Sequence, residues 1–89
     1  MMDLHIASRS LPDESGRLHT FHYYLTVGVV EAGNFCFEHY GVRITEEGAQ
    51  SVCIPSLTTS AVRIDQLMTA LVDNAVAPAG LQDVIADWL

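Results

Sequence analysis

The stretch Thr20-Phe21-His22-Tyr23-Tyr24-Leu25-Thr26-Val27-Gly28-Val29 decides the fold. Its odd positions, Phe21, Tyr23, Leu25, Val27 and Val29, are apolar, while its even positions are mixed. A period of two marks a strand whose side chains alternate between two faces. One buried face and one wet face is the habit of an antiparallel sheet. The pattern predicts a long strand over about 18–30.

Outward from this strand, the turn chemistry divides the chain. Toward the N-terminus, SLPDESGR (10–17) combines proline, glycine, serine and acids, and reads as a loop. Before it, Leu4 and Ile6 alternate with Asp3 and His5, predicting a strand over about 2–9. Toward the C-terminus, Glu31-Ala32-Gly33 suits a three-residue hairpin with Gly33 left-handed, followed by a strand over about 34–45. That turn pairs Val29 with Phe35 and Val27 with Phe37. The phase then changes, because Phe35 and Phe37 are odd whereas Tyr40, Val42 and Ile44 are even. A β-bulge near His39–Tyr40, with Gly41 beside it, would restore one apolar face. Glu46-Glu47-Gly48 repeats the turn logic before a fourth strand over about 49–55, in which Val52 faces Val42 and Ile54 faces Tyr40. Pro55 lacks a backbone donor, so this strand lies at an edge or ends there.

The last third has a helical period. Thr58-Thr59-Ser60 offers N-cap side chains. Ile64, Leu67, Met68, Leu71, Val72 and Ala75 then form one apolar stripe, predicting a helix over about 61–75. Pro78 suits the first turn of a second helix over about 78–88, with Leu81, Val84, Ile85 and Trp88 inward and Asp83 and Asp87 outward. The expected fold class is α+β: a four-stranded antiparallel meander followed by a two-helix hairpin packed on one face (β-β-β-β-α-α), as a single domain over 1–89. The Phe21–Val29 row should lie beneath the helices, with His22 and Tyr24 on the far side.

Composition restricts function. Hydrophobic residues make up 49% of the chain and charged ones 17%, against roughly 25% charged in an ordinary domain. That deficit points to apolar surface covered by a partner. The net charge is −7, with four Lys+Arg in all, each of them arginine (Arg9, Arg17, Arg43, Arg63). Scattered arginines cannot displace phosphate counterions, so nucleic acid is excluded as a direct ligand, and anionic membranes are disfavoured for the same reason. No apolar stretch approaches the ~20 residues of a membrane span. The start, MMDLHIASRS, has neither the basic nor the apolar region of a signal peptide, so cytoplasm is the expected location. Cys36 and Cys53 have no metal-type spacing and read as small hydrophobes.

Tyr40-Gly41-Val42, the Glu46-Glu47-Gly48 turn, Pro78, Leu81, Asp83-Val84-Ile85 and Asp87-Trp88-Leu89 together resemble a family of short uncharacterised bacterial proteins found in clostridia-type Firmicutes. The resemblance covers about residues 20–89 and rests mainly on the C-terminal segment. It implies a cytoplasmic bacterial protein and brings no assigned activity.

The chemistry-bearing residues gather on the open face. Pairing Ile6 with Phe21 and Leu4 with Tyr23 sets His5 opposite His22, His22 opposite Arg43, and Arg43 opposite Ser51. The expected row His5–His22–Arg43–Ser51 could bind an anion, Arg43 supplying a forked donor and the histidines pH-sensitive partners. Its bland alternative is an ordinary polar sheet face. A metal is not expected, since Arg43 repels a cation and Asp3 is the one further candidate ligand nearby. Tyr24 should cover Gly41 on that face, as packing or as a contact anchor, and Glu38 should lie opposite Thr26. Cys53 falls opposite Gly41 and Cys36 on the open side further along, too far apart for a disulfide. There is no nucleophile elbow, phosphate loop or buried carboxylate pair, and so no catalytic residue or cofactor is expected. The favoured reading is a non-enzymatic interaction or regulatory module, a homodimer or bound to another protein, joined through the unguarded first strand, with the open face at Tyr24, Cys53 and Ala7 as the alternative contact surface. The alternative is a small anion-binding or minor catalytic domain centred on Arg43, His22 and His5.

Overall fold

In a computed structural model, which describes residues 2–89, the order is four strands and then helices. The strands are β1 (Met2–Pro12), β2 (Leu18–Ala32), β3 (Phe35–Glu46) and β4 (Ser51–Thr58). They form one antiparallel sheet in the order β1-β2-β3-β4. Helix α1 (Ala61–Asp73), a 3-10 turn (Pro78–Gly80) and α2 (Leu81–Trp88) follow. The α+β meander with a helical pair is thus the architecture that the two periodicities predict.

The core forms where helical stripe meets strand face. Phe21, Tyr23, Val42 and Ile44 from the sheet bury against Ile64, Leu67, Met68, Leu71, Leu81 and Ile85 from the helices. Val84 and Trp88 pack at its margin. Tyr23 is fully buried, and its hydroxyl donates to the Val76 carbonyl at 2.9 Å, tying the sheet to the segment between the helices. Burial pushes its phenol pKa up. Ser60 caps α1 by accepting from the Arg63 amide at 3.2 Å. The Arg63 guanidinium stacks over Trp88, 4.4 Å from the ring centroid, and fastens α2 to α1. Helix α1 stops at Asp73, short of Ala75, which adopts a φ of 48°.

Several pairings differ from expectation, and the differences have local causes. The β2–β3 turn contains two residues, Gly33-Asn34, between the paired Ala32 and Phe35, with Gly33 at φ 62°. One residue fewer in the turn and an uninterrupted ladder set Val29 opposite Glu38 and Val30 opposite Phe37. The expected bulge near His39–Tyr40 is therefore absent from this ladder. Phe35 and Phe37 consequently lie on the open-face side rather than with Tyr40, Val42 and Ile44. Nothing forces them inward, because the hairpin tip extends past the helices, and Phe35 is 76% exposed. An irregularity does occur beside Gly41, but in the β3–β4 ladder: Val42 pairs with Ile54, whereas Tyr40 pairs with Thr58. The surplus lies in β4, where Pro55-Ser56-Leu57 loops out with Ser56 at φ 60°. The strand thus continues beyond Pro55.

The first loop is also shorter than its composition suggests. Asp13 organises it, its Oδ1 accepting from the Ser15 amide (2.9 Å), the Ser15 hydroxyl (2.7 Å) and the Arg17 amide (3.0 Å). β1 therefore runs on to Pro12. Within β1 a bulge at Ile6, between His5 and Ala7, shifts the register.

The sheet outreaches its helices. Fifteen residues of β2 extend about 50 Å, whereas the thirteen of α1 rise about 20 Å. The radius of gyration is 14.2 Å, against ~12 Å for a compact chain of this length. The longest dimension is 55 Å.

Two measurements test these contacts. A Cβ at Gly41 would strike the Ile54 and Pro55 backbone, whereas one at Gly28 would strike only the movable His39 ring. Gly41→Ala should lower stability by about 1–3 kcal/mol and Gly28→Ala by less, read by urea unfolding. His19 joins the two turns at one end of the sheet, with Nε2 2.9 Å from Asp13 Oδ2 and Nδ1 3.2 Å from Glu46 Oε1. Both contacts are donated only by the imidazolium, and the Asp13 hydrogen bond, with help from Glu46, raises the pKa above 6.5. The Ser15 and His19 hydrogen bonds hold the Asp13 carboxyl well below the usual range. His19 therefore contributes stability that is complete below pH 6.5 and is lost as pH rises through its elevated folded-state value. The urea midpoint should fall across that interval in the native chain, and less so in His19→Gln.

Candidate functional site

The open face of the sheet carries two cross-strand rows where one was expected. In the first, His5 faces Tyr24, Tyr24 faces Arg43, and Arg43 faces Cys53. In the second, Ser8 faces His22, His22 faces Thr45, and Thr45 faces Ser51. The expected partners all stay on this face but are distributed between neighbouring rows. From Tyr40 onward the β2–β3 and β3–β4 ladders are displaced by two residues from the predicted registers, and an even displacement keeps these side chains on their face, whereas over 35–38 the displacement is three and the faces exchange. The β1–β2 ladder is also displaced by two, Leu4 meeting Leu25 instead of Tyr23. The Ile6 bulge adds one more, which brings Ser8 opposite His22 and sets Ala7, expected on the open face, opposite Tyr23 on the helix side.

The first row is an ion pair with aromatic cover. Arg43 Nε donates to Asp3 Oδ2 at 2.8 Å, and both side chains are about a third exposed (33% and 34%). Such a pair is worth roughly 0.2–1 kcal/mol. The His5 and Tyr24 rings pack with centroids 5.3 Å apart. Tyr24 does not cover Gly41. That glycine faces Thr26 instead, and the Ile54-Pro55 backbone fills the space above it. Thr26 is buried beneath this crossing at 1% exposure. Glu38 lies opposite Val29 instead of Thr26, and accepts from the Tyr40 hydroxyl at 3.1 Å, which raises the phenol pKa.

The second row contains the closest polar contacts. Ser8 Oγ lies 2.9 Å from His5 Nε2 and 2.7 Å from His22 Nδ1. A hydroxyl has one proton, so Ser8 donates to one imidazole and accepts from the other. His22 Nε2 faces Glu47 Oε2 at 3.5 Å, which favours a proton on Nε2 and leaves Nδ1 to accept from Ser8. Ser51 bonds Thr45 at 3.0 Å rather than meeting Arg43. Ser8, Thr45 and Glu47 are the members that sequence reasoning missed. Ser8 could not be placed without the Ile6 bulge, and Glu47 read as a turn residue.

Chemically, the face offers two imidazoles converging on one hydroxyl, beside an arginine already neutralised by Asp3. An anion would have to displace Asp3 to reach the guanidinium. Among the described residues no group of three His, Cys, Asp or Glu side chains is placed to hold a metal ion. Cys36 and Cys53 are free thiols. Cys53 faces Arg43, not Gly41, and Cys36 faces Glu31 on the side of the sheet opposite Phe35 and Phe37, not the open side. Among the described residues no helix is long and apolar enough to cross a membrane.

The Asp3–Arg43 pair gives a direct check. Asp3→Asn frees the guanidinium, so millimolar sulfate should shift the Arg43 Nε NMR signal in that variant and leave it unmoved in the native chain. A shift in the native chain would show that the anion displaces Asp3 unaided.

The model of the family of unknown function DUF6514 matches residues 2–89, and the chain belongs to that family. No curated protein and no solved structure matches it.

Proposed function

We propose that this member of a family of unknown function is a non-enzymatic protein-interaction or regulatory module that associates with copies of itself. The observation that carries the reading is the apolar surface outside the helices' reach. Val29 (60% exposed), Val30, Phe35 and Phe37 stand on the projecting β2–β3 arm, and Met2 and Leu4 on the adjoining edge strand. Isolated apolar side chains on a surface mean little, but several along one arm and one edge mark a contact surface. The low charge fraction of 17% agrees with a chain that covers part of its surface by association. The two free thiols fit a reducing compartment, and the cytoplasm of a clostridia-type bacterium is the proposed setting.

The competing reading, an anionic ligand or minor catalytic role at Arg43, His22 and His5, needs a guanidinium free to receive the ligand, and Asp3 occupies it. Light scattering at micromolar concentration separates the two readings. Self-association predicts a mass of about twice 9.7 kDa, and a clean monomer overturns it.

A further inference from the structure

The first strand leaves one edge of the sheet open. β1 lies at one edge of the sheet, so among the described residues one side of its backbone has no partner strand. From Met2 to Ile6 it contains neither proline nor lysine to discourage pairing. Three successive apolar side chains in this segment are exposed: Met2 by 54%, Leu4 by 41% and Ile6 by 47%. Met2 and Leu4 point to the helix side, being paired with Val27 and Leu25. Ile6, in the bulge, lies in a crease against Met68 and Val72 of α1 and so faces the same way. Asp3 and His5 point to the open face.

A second copy can add antiparallel to this edge about a two-fold axis normal to the sheet. Opposed residues then share a face, so the axis must pass through a residue and not between two. Within Met2–Ile6, three interior positions are available. An axis at Asp3 opposes two aspartates, and an axis at His5 opposes two histidines. An axis at Leu4 opposes Leu4 to Leu4, Met2 to Ile6 of the second copy, and Asp3 to His5 of the second copy. Of the three, this register alone sets apolar on apolar at the axis and acid opposite base beside it, with Met2 reaching Ile6 where the bulge begins. Directly opposed like charges destabilise a strand pair, whereas opposite charges and apolar pairs favour it.

We infer that two copies of this chain join through β1, antiparallel, with Leu4 on the two-fold axis, making one eight-stranded sheet from two four-stranded ones. The inference rests on the self-association proposed above and names the surface that performs it. Met2 and Leu4 of each copy then gain apolar neighbours across the seam. The bulge at Ile6 ends the regular pairing, and Pro12 closes the far end of the strand.

Disulfide trapping tests this register. Cys36 and Cys53 are first replaced by serine, and single cysteines are then introduced as Leu4→Cys or Leu11→Cys. Across the axis the two Leu4 Cβ atoms would be about 5 Å apart, within reach of a disulfide after small adjustment. The two Leu11 positions, although exposed on the same strand, would lie about 46 Å apart. Mild oxidation should convert Leu4→Cys to a covalent dimer and leave Leu11→Cys at 9.7 kDa. Equal cross-linking of both variants, or none at Leu4→Cys, overturns the inference. Light scattering on the native chain assigns such a failure. A native dimer that Leu4→Cys fails to trap associates through another surface, such as the β2–β3 arm, and only this inference falls. A native monomer removes the self-association reading as well. Leu4→Arg brings two cations together at the axis and should give a folded monomer by circular dichroism and light scattering. A Leu4→Arg dimer would equally overturn the register.

Discussion

A strand advances more than twice as far per residue as a helix, and this inequality governs the molecule. The chain puts fifteen residues into β2 and thirteen into α1, so the helical layer cannot roof the sheet it packs on. What it does roof is well packed: Tyr23, Val42, Ile44, Leu71 and Leu81 have no exposed surface. Beyond that patch the same alternating sequence continues with nothing above it. Val27 is half-buried and Val29 is exposed, although they continue the row of Phe21 and Tyr23. The buried Phe21 and Tyr23 and the exposed Val29 are therefore one stripe of sequence, divided by where the helices end.

Face membership was legible because a period of two survives any even slip of register. The prediction that Phe21, Tyr23, Val42 and Ile44 lie beneath the helices, with His22 and Tyr24 opposite, follows from alternation alone. Cross-strand partners were not legible, because they depend on the number of residues in each turn. Gly33-Asn34 makes a tight two-residue turn where Glu31-Ala32-Gly33 read as a three-residue one, and every β2–β3 pairing moved with it. The phase change between Phe37 and Tyr40 reflects no bulge: the β2–β3 ladder is continuous, and Phe35 and Phe37 lie on the face opposite Tyr40. They have no core to enter, since the arm that bears them projects into solvent.

The candidate site shows the same division. His5, His22, Tyr24, Arg43 and Ser51 share a face as expected, but they form two rows with Asp3, Ser8, Thr45 and Glu47 as their partners. Ser8 owes its position between two imidazoles to a bulge that no residue type at Ile6 announces. The Asp3–Arg43 pair joins residues forty positions apart in sequence, a closure that only the three-stranded register brings about.

The two margins of the sheet are unlike. At β4, Pro55 provides no amide proton, and the excursion through Ser56 folds the backbone back over Gly41. That flank is crimped. At β1 the flank is straight from Met2 to His5. A body with adhesive borders on both sides can propagate without limit, as fibrils do, whereas one with a single adhesive border is saturated by its first neighbour. In the β1-joined pair proposed above, the kink at Pro55-Ser56 leaves the β4 margin without a straight edge for a further copy.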